Sequence, residues 1–260
     1  MGGGMINFER DSGIALLTVD RPEAMNALDL AHAEELHGRL TELARDDEAR
    51  VVVLTGAGDK AFIAGADIKY MQSLGVLEGR RYAELGHSSG TLLETMPKPT
   101  IAAINGYALG GGCELALACD LRVAASTAKL GQPEINLGIM PGWGGAIRLA
   151  RTTTLGYAKE LIFTGRTVAA AEALERGLVN AVHEPGELMA KVRELCATLV
   201  SKSALALAYA KEATNLALQG DHEANLATEA RLFAMLFSSE DQKEGMAAFV
   251  EKREPRFTGR

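Results

Sequence analysis

Asn105-Gly-Tyr-Ala-Leu-Gly-Gly-Gly-Cys-Glu114 is the stretch on which the reading of this chain turns. Thr100 to Asn105 reads as a buried strand and Cys113 to Cys119 (Cys-Glu-Leu-Ala-Leu-Ala-Cys) as the start of a strongly apolar helix. Gly110, Gly111 and Gly112 therefore turn the chain between the two. Without Cβ atoms, such a turn leaves its N–H groups bare. They stand at a helix N-terminus, where the macrodipole favours an oxygen that is, or is becoming, negative. A phosphate or an oxyanion would satisfy them. Glu114 decides for the oxyanion, because its carboxylate repels phosphate but can act as acid or base beside a polarised carbonyl. A second acid, Glu134 in Gly131-Gln-Pro-Glu134, follows 20 residues later (134 − 114 = 20).

Two further glycine-rich turns can frame the same cleft. Phe62-Ile-Ala-Gly-Ala-Asp67 follows the apolar run Val51 to Leu54 and offers another amide, and two converging N–H donors make an oxyanion hole. Pro141-Gly-Trp-Gly-Gly145 follows Glu134 and leads into another helical pattern. Around these turns the order of elements predicts an α/β protein. Ile6 to Phe8 and Ile14 to Val19 read as paired strands about Asp11-Ser-Gly13, and Leu28 to Leu43 as a helix with Leu36, Leu40 and Leu43 on one face. Strands near Val51, Ile101, Leu121 and Val179 alternate with helical segments, which implies right-handed crossovers and a mostly parallel sheet. Beyond Glu187 the pattern is almost wholly helical, with an apolar stripe at Leu226, Leu232, Met235 and Leu236.

The chain resembles the enoyl-CoA hydratase (crotonase) family over nearly its whole length. Six ordered motifs carry the resemblance: Arg21-Pro-Glu-Ala-Met-Asn-Ala-Leu28, Ala61-Phe-Ile-Ala-Gly-Ala-Asp-Ile-Lys69, the Asn105 to Glu114 stretch, Gly131 to Glu134, Pro141 to Gly145, and Glu244-Gly-Met-Ala-Ala-Phe-Val-Glu-Lys252. It implies a spiral of β-β-α units over residues 1–190, followed by a helical region, 191–260, that packs a trimer and covers the CoA, the trimers usually pairing into hexamers. It also implies that the Ala66 and Gly111 amides hold the thioester oxygen of an acyl-CoA. Glu114 would then activate water, Glu134 would deliver a proton to C2, and the Gly142 amide would help orient the water. Hydration needs both acids, one to deprotonate the attacking water and one to protonate the enolate-like carbon. Burial or mutual repulsion is expected to raise the apparent pKa of the pair.

The same resemblance places Ala27, Leu28, Ala64, Ala66, Asp67 and Ile68 around the adenine and pantetheine. Lys69 and Lys252 fall near the CoA phosphates, and Phe249 covers the ligand, in some members from a neighbouring subunit. Coenzyme A belongs to the substrate, and no metal or redox cofactor is implied. Where the family continues Thr-Gln-Arg-Leu, this chain reads Ala146-Ile-Arg-Leu149, and Trp143 fills a position that is often small. Trp143 is expected to shape the acyl pocket around a short or medium 2-enoyl group. Related reactions such as Δ3-Δ2 isomerisation, the reverse dehydration of a 3-hydroxyacyl-CoA, and non-catalytic acyl-CoA or RNA binding are the alternatives. Retention of both glutamates favours hydration.

Competing motifs are weaker. Gly56-Ala-Gly-Asp-Lys-Ala61 fits a dinucleotide fingerprint, but Gly65 interrupts the helix that must follow it. His32 and His37 are five apart, do not share a helix face as a zinc pair would, and are read as solvated. Cys113, Cys119 and Cys196 form no C-x-x-C and are expected to be reduced and mostly buried. A length of 260 with 47% hydrophobic residues supports a large core. A net charge of −7 argues against nucleic-acid or anionic-membrane partners. No apolar run reaches membrane-spanning length, and Met1-Gly-Gly-Gly-Met5 lacks the features of a signal peptide, so a cytoplasmic protein is expected, with Met1 to Gly4 an extension before an original start at Met5.

Overall fold

In the computed structural model, which describes residues 5–260, the run Val51-Val-Val-Leu-Thr-Gly56 is a strand buried at every position. That burial requires cover on both faces of its sheet. The extension read at Met1 to Gly4 lies outside the described residues. Ten strands occur among those described: β1 (Ile6–Asp11), β2 (Ile14–Val19), β3 (Val51–Gly56), β4 (Ala61–Ile63), β5 (Thr100–Ile104), β6 (Tyr107–Leu109), β7 (Leu121–Ala125), β8 (Lys129–Gly131), β9 (Thr167–Ala169) and β10 (Ala181–His183). They build a six-stranded sheet ordered β1-β2-β3-β5-β7-β10 and a four-stranded sheet ordered β4-β6-β8-β9. The larger is parallel except for the β1–β2 hairpin, and in the smaller only β8 and β9 run antiparallel.

The two sheets grow together. Each turn of the chain lays one strand in the large sheet and the next in the small one, as β3 then β4, β5 then β6, and β7 then β8. The loops that leave β4, β6 and β8 therefore stack in neighbouring turns of a spiral, and these loops carry Ala66, Gly111 and Glu134. Alternation along β3 divides the core in two. Val52 and Leu54 join Leu36, Leu40, Phe62, Ile104 and Leu115 on one face, while Val51 and Val53 meet Ile101, Val123, Leu188, Val192 and Cys196 on the other.

The helix Leu188–Val200 closes that second face, and the 190/191 boundary falls inside it. After it come Ala204–Asn215, His222–Leu236 and Glu240–Glu251. Lys211 ties the first of these to the core, pairing with Asp120 at 2.8 Å and donating to the carbonyls of Leu93 and Lys98. Of the stripe expected on His222–Leu236, Leu232 is buried whereas Leu226 and Met235 are exposed, as are Phe233, Phe249 and Val250 nearby. No helix among the described residues is long and apolar enough to cross a membrane.

The hairpin, the parallel sheet and the helical C-terminal region match the sequence reading. The small sheet was not legible, because strands of three residues are too short to show a period. The helix read from Cys113 begins two residues earlier, at Gly111, and the strand read near Val179 is Ala181–His183. His32 is buried rather than solvated, with its ring Nδ1 2.7 Å from Oδ1 of the N-cap residue Asp29. The dinucleotide motif is set aside because β3 ends at Gly56 and the chain turns into β4, not into a helix.

Candidate active site

Two glycines bring the amides of Ala66 and Gly111 together. Gly65, at φ +111°, lies so close to the next turn that a Cβ there would stand 3.0 Å from the Leu109 carbonyl oxygen and 3.7 Å from the Gly111 nitrogen. Gly110, at φ 49° and ψ −125°, makes the corner into the helix Gly111–Ala118. Leu28 fixes the first loop from the other side. Its N–H donates to the Gly65 carbonyl at 2.9 Å, and its carbonyl accepts from the Asp67 N–H at 2.7 Å and the Tyr82 hydroxyl at 2.6 Å. This bridge engages Gly65 and Asp67 and turns the Ala66 N–H away. Neither the Ala66 nor the Gly111 N–H donates a hydrogen bond among the described residues. Both residues line a cavity of about 360 Å³ that also holds Glu114, Glu134, Gly142 and Trp143.

Glu114 projects from the first helical turn and is 2% exposed. Its Oε1 accepts from the Trp143 N–H at 2.7 Å and the Gly145 N–H at 2.6 Å, so the Pro141–Gly145 loop holds it on one side. Glu134 comes from the short turn Pro133–Leu137 after β8, pressed against Gly110, and its buried Oε2 has no hydrogen-bond partner among the described residues. Burial pushes both carboxyls up to about 7. For Glu134 the Glu114 charge adds to that rise. For Glu114 the Gly145 and Trp143 amides and the Arg148 cation act in the opposite direction. The two N–H donors on Glu114, with no counterpart at Glu134 Oε2, favour the anion on Glu114 and a shared proton on Glu134. Gln132, fully buried between these two acids in sequence and against Gly145, also lacks partners for both side-chain polar atoms among the described residues.

Trp143 closes one end of the cavity. Its ring packs edge-to-face on Tyr82 with centroids 5.1 Å apart, and Tyr82 on Tyr70 at 5.3 Å. Gly86 makes room for it in the middle of the helix Val76–Thr95, where any Cβ would fall inside the indole.

The cavity thus gathers Ala64, Ala66, Ile68, Gly111, Glu114, Glu134, Gly142 and Trp143 from the sequence reading. Other expected contacts are not brought there. The Leu28 side chain is fully buried in the core, and Asp67 caps the helix Ile68–Met71 and pairs with Arg21 at 2.8 Å. Ala27 and the exposed Lys69 do not line the cavity. Phe249 is 85% exposed and, like Lys252, stands on the C-terminal helix segment away from it. The amides that hold Glu114 belong to Trp143 and Gly145, with Gly142 lining the cavity beside them. Tyr82 and Glu94 escaped the sequence reading, and Gln132 and Arg148 entered it only as members of motifs, without a role. The available signal was Gly86 and Gly90 inside a helical stretch, since glycine there is destabilising unless something must approach closely.

The family model for enoyl-CoA hydratase/isomerase matches residues 9–260. The chain belongs to that family. Among relatives of this enoyl-CoA hydratase/isomerase family member, a short-chain-enoyl-CoA hydratase of Clostridium acetobutylicum is 47% identical, covering 95% of this chain and 94% of its own. A crotonyl-CoA hydratase of Syntrophomonas wolfei is 46% identical, with 97% of each chain covered. The crystal structure of an enoyl-CoA hydratase from Bacillus anthracis superposes with a TM-score of 0.95 at 40% identity, over 99% of this chain and 100% of that one. The spiral of paired sheets is thus the crotonase fold. Among the described residues no group of three or more His, Cys, Asp or Glu is placed to hold a metal ion.

Proposed function

We propose that this enoyl-CoA hydratase adds water reversibly and with syn geometry to a short 2-trans-enoyl-CoA, giving the 3-hydroxyacyl-CoA, with Glu114 and Glu134 as its acid–base pair. The observation that carries the reading is a pair of buried carboxyls, one held by two amides and one without a donor, facing the same cavity as two unengaged N–H groups. The thioester oxygen takes the Ala66 and Gly111 amides, each worth about 3–4 kcal/mol to the enolate-like transition state. Glu114 removes a proton from water as it attacks C3, and Glu134 protonates C2. In this reading the Gly142 amide, on the cavity lining, helps to orient that water. A double-bond shift needs proton transfer alone, so the second carboxyl favours hydration over isomerisation.

The aromatic wall of Trp143 and Tyr82, with Tyr70 packed behind Tyr82, supports a short acyl group, in keeping with the short-chain and crotonyl substrates in the names of the two relatives. The exposed apolar residues of the C-terminal helices, Phe233, Met235, Phe249 and Val250 among them, support assembly into trimers or hexamers. In such an assembly Phe249 covers the CoA of a neighbouring copy, and Lys69 and Lys252 lie near the CoA phosphates. Crotonyl-CoA with purified protein tests the activity. The enoyl-thioester ultraviolet absorbance should fall rapidly, and Glu134→Gln should slow this by about 10²- to 10⁴-fold. Persistent absorbance with crotonyl-CoA and longer enoyl-CoAs, despite binding, would overturn it.

A further inference from the structure

The loop Pro141–Gly145 that holds Glu114 is itself anchored from behind. With glycines at 142, 144 and 145, it has little intrinsic preference for one conformation, yet it must aim two N–H groups at one carboxylate oxygen. Arg148, on the helix Gly145–Thr152 and only 9% exposed, supplies the restraint. Its Nη1 donates to the Trp143 carbonyl at 2.7 Å, on the residue whose N–H donates to Glu114. Its Nε and Nη2 donate to the two carboxylate oxygens of Glu94, both at 2.8 Å, in the two-pronged geometry that fixes direction as well as distance. Space for this guanidinium is cleared on two elements. A Cβ at Gly90 would stand 2.8 Å from Arg148 Nη1, and one at Gly144, at φ +99°, would overlap the same group.

We propose that Arg148, oriented by Glu94, is a positioning residue for hydration, clamping the Trp143 peptide so that the loop keeps both N–H groups on Glu114. The proposal rests on the hydratase reading for its kinetic consequences but not for its geometry. Arg148 does not itself line the cavity, so it acts on the reaction through the Trp143 loop it holds and, by way of that loop, through Glu114. The groups facing Glu114 are Glu134 on the turn after β8, Arg148 on the helix Gly145–Thr152 and the buried Cys113 thiol beside it in sequence, with Arg122 of β7 acting on Cys113. Of the two cations, Arg148 is the one that favours the ionised form of Glu114 directly.

Arg148→Met and Glu94→Gln test the clamp. With crotonyl-CoA, Arg148→Met should lower kcat by about 100-fold, the cost of a roughly 1 Å misplacement, while KM changes by less than about threefold. Its acid limb of kcat against pH should move upward, because Glu114 loses a cation and aligned donors. Arg148→Lys keeps the charge without the fork and should return the limb part of the way but not kcat. Glu94→Gln should fall between. Trp143 is the only tryptophan of the chain, so acrylamide quenching of its fluorescence reads the loop without turnover, and it should rise several-fold in both variants. Folded variants with wild-type quenching, kcat and acid limb would overturn the proposal. If Arg148→Met does not fold, Glu94→Gln decides by the same readings. Wild-type protein inert towards crotonyl-CoA removes the hydratase reading, and quenching then decides the clamp by itself.

Discussion

Gly110→Ala removes no functional atom, yet it should disable the enzyme. A Cβ at this position would lie 2.8 Å from Glu134 Oε1 and 3.3 Å from Cδ. Ordinary contact begins near 3.4 Å, so the carboxyl must retreat by about 0.6 Å (3.4 − 2.8 = 0.6) or the turn must shift. A displacement approaching 1 Å costs about 100-fold in a positioned reaction. Hydration of crotonyl-CoA should therefore fall by roughly 10- to 100-fold in kcat. KM should hold within about threefold, because the CoA handle is untouched. The alanine also has to occupy φ 49° and ψ −125°, which costs about 1–3 kcal/mol and should lower the melting temperature by several degrees. Gly220→Ala provides the control. It carries a positive φ of +62° outside the cavity lining, and among the described residues its Cβ would meet Asn225 Oδ1 alone, at 3.8 Å. It should lose stability and keep full turnover. Gly110→Ala with wild-type kcat would refute the argument that Glu134 works from its place against this glycine.

Three further outcomes are expected. Burial holds the Glu114 and Glu134 carboxyls above their ordinary value of 4.5, at about 7, so the folded state binds their protons more tightly than the unfolded chain. The resulting stability is fully present below about pH 4.5 and lost as pH rises through about 7. Glu134→Gln, which cannot ionise, should therefore gain melting temperature over wild type by more near pH 8 than near pH 5 in calorimetry, and a constant gap would contradict this. Trp143→Leu opens the aromatic wall at Tyr82 and Gly86 and should raise the octenoyl-to-crotonyl ratio of kcat/KM by about tenfold, read from a chain-length series in which an unchanged ratio would count against the wall. Lys211→Met removes the 2.8 Å partner of the half-buried Asp120 carboxyl, which the Thr100 N–H and hydroxyl still hold, a loss of about 1–3 kcal/mol in denaturant unfolding. Asp120→Asn added to it should recover part of that loss.

The sequence was most informative where local chemistry is self-sufficient. Gly110 to Gly112 before an apolar helix announces bare amides, and Glu114 one turn in names their use without any tertiary knowledge. The β1–β2 hairpin and the buried runs of β3 and β5 were legible because β-branched runs bounded by turn residues permit little else. What stayed hidden depends on contacts between distant turns of the spiral. β4, β6 and β8 are strands only because each pairs with its neighbours at three positions or fewer. Arg148 looks like a surface residue of a short helix until the fold puts Glu94 and the Trp143 carbonyl beside it. Leu28 and Asp67 fell in two motifs matched to CoA contacts, and the fold shows a second use that the motifs did not reveal, holding the Ala66 loop in place. Glu94 lies 54 residues from Arg148, beyond any periodicity.

The central claim, that two carboxyls divide the protons of one water addition, is met most directly by isotope incorporation. Crotonyl-CoA turned over in deuterated, heavy-oxygen water should yield 3-hydroxybutyryl-CoA carrying a single deuterium at C2 and the heavy oxygen at C3, both lost with the activity in Glu134→Gln. Deuterium entering the acyl chain without heavy oxygen, or both labels entering unhindered in the Glu134→Gln protein, would contradict the account.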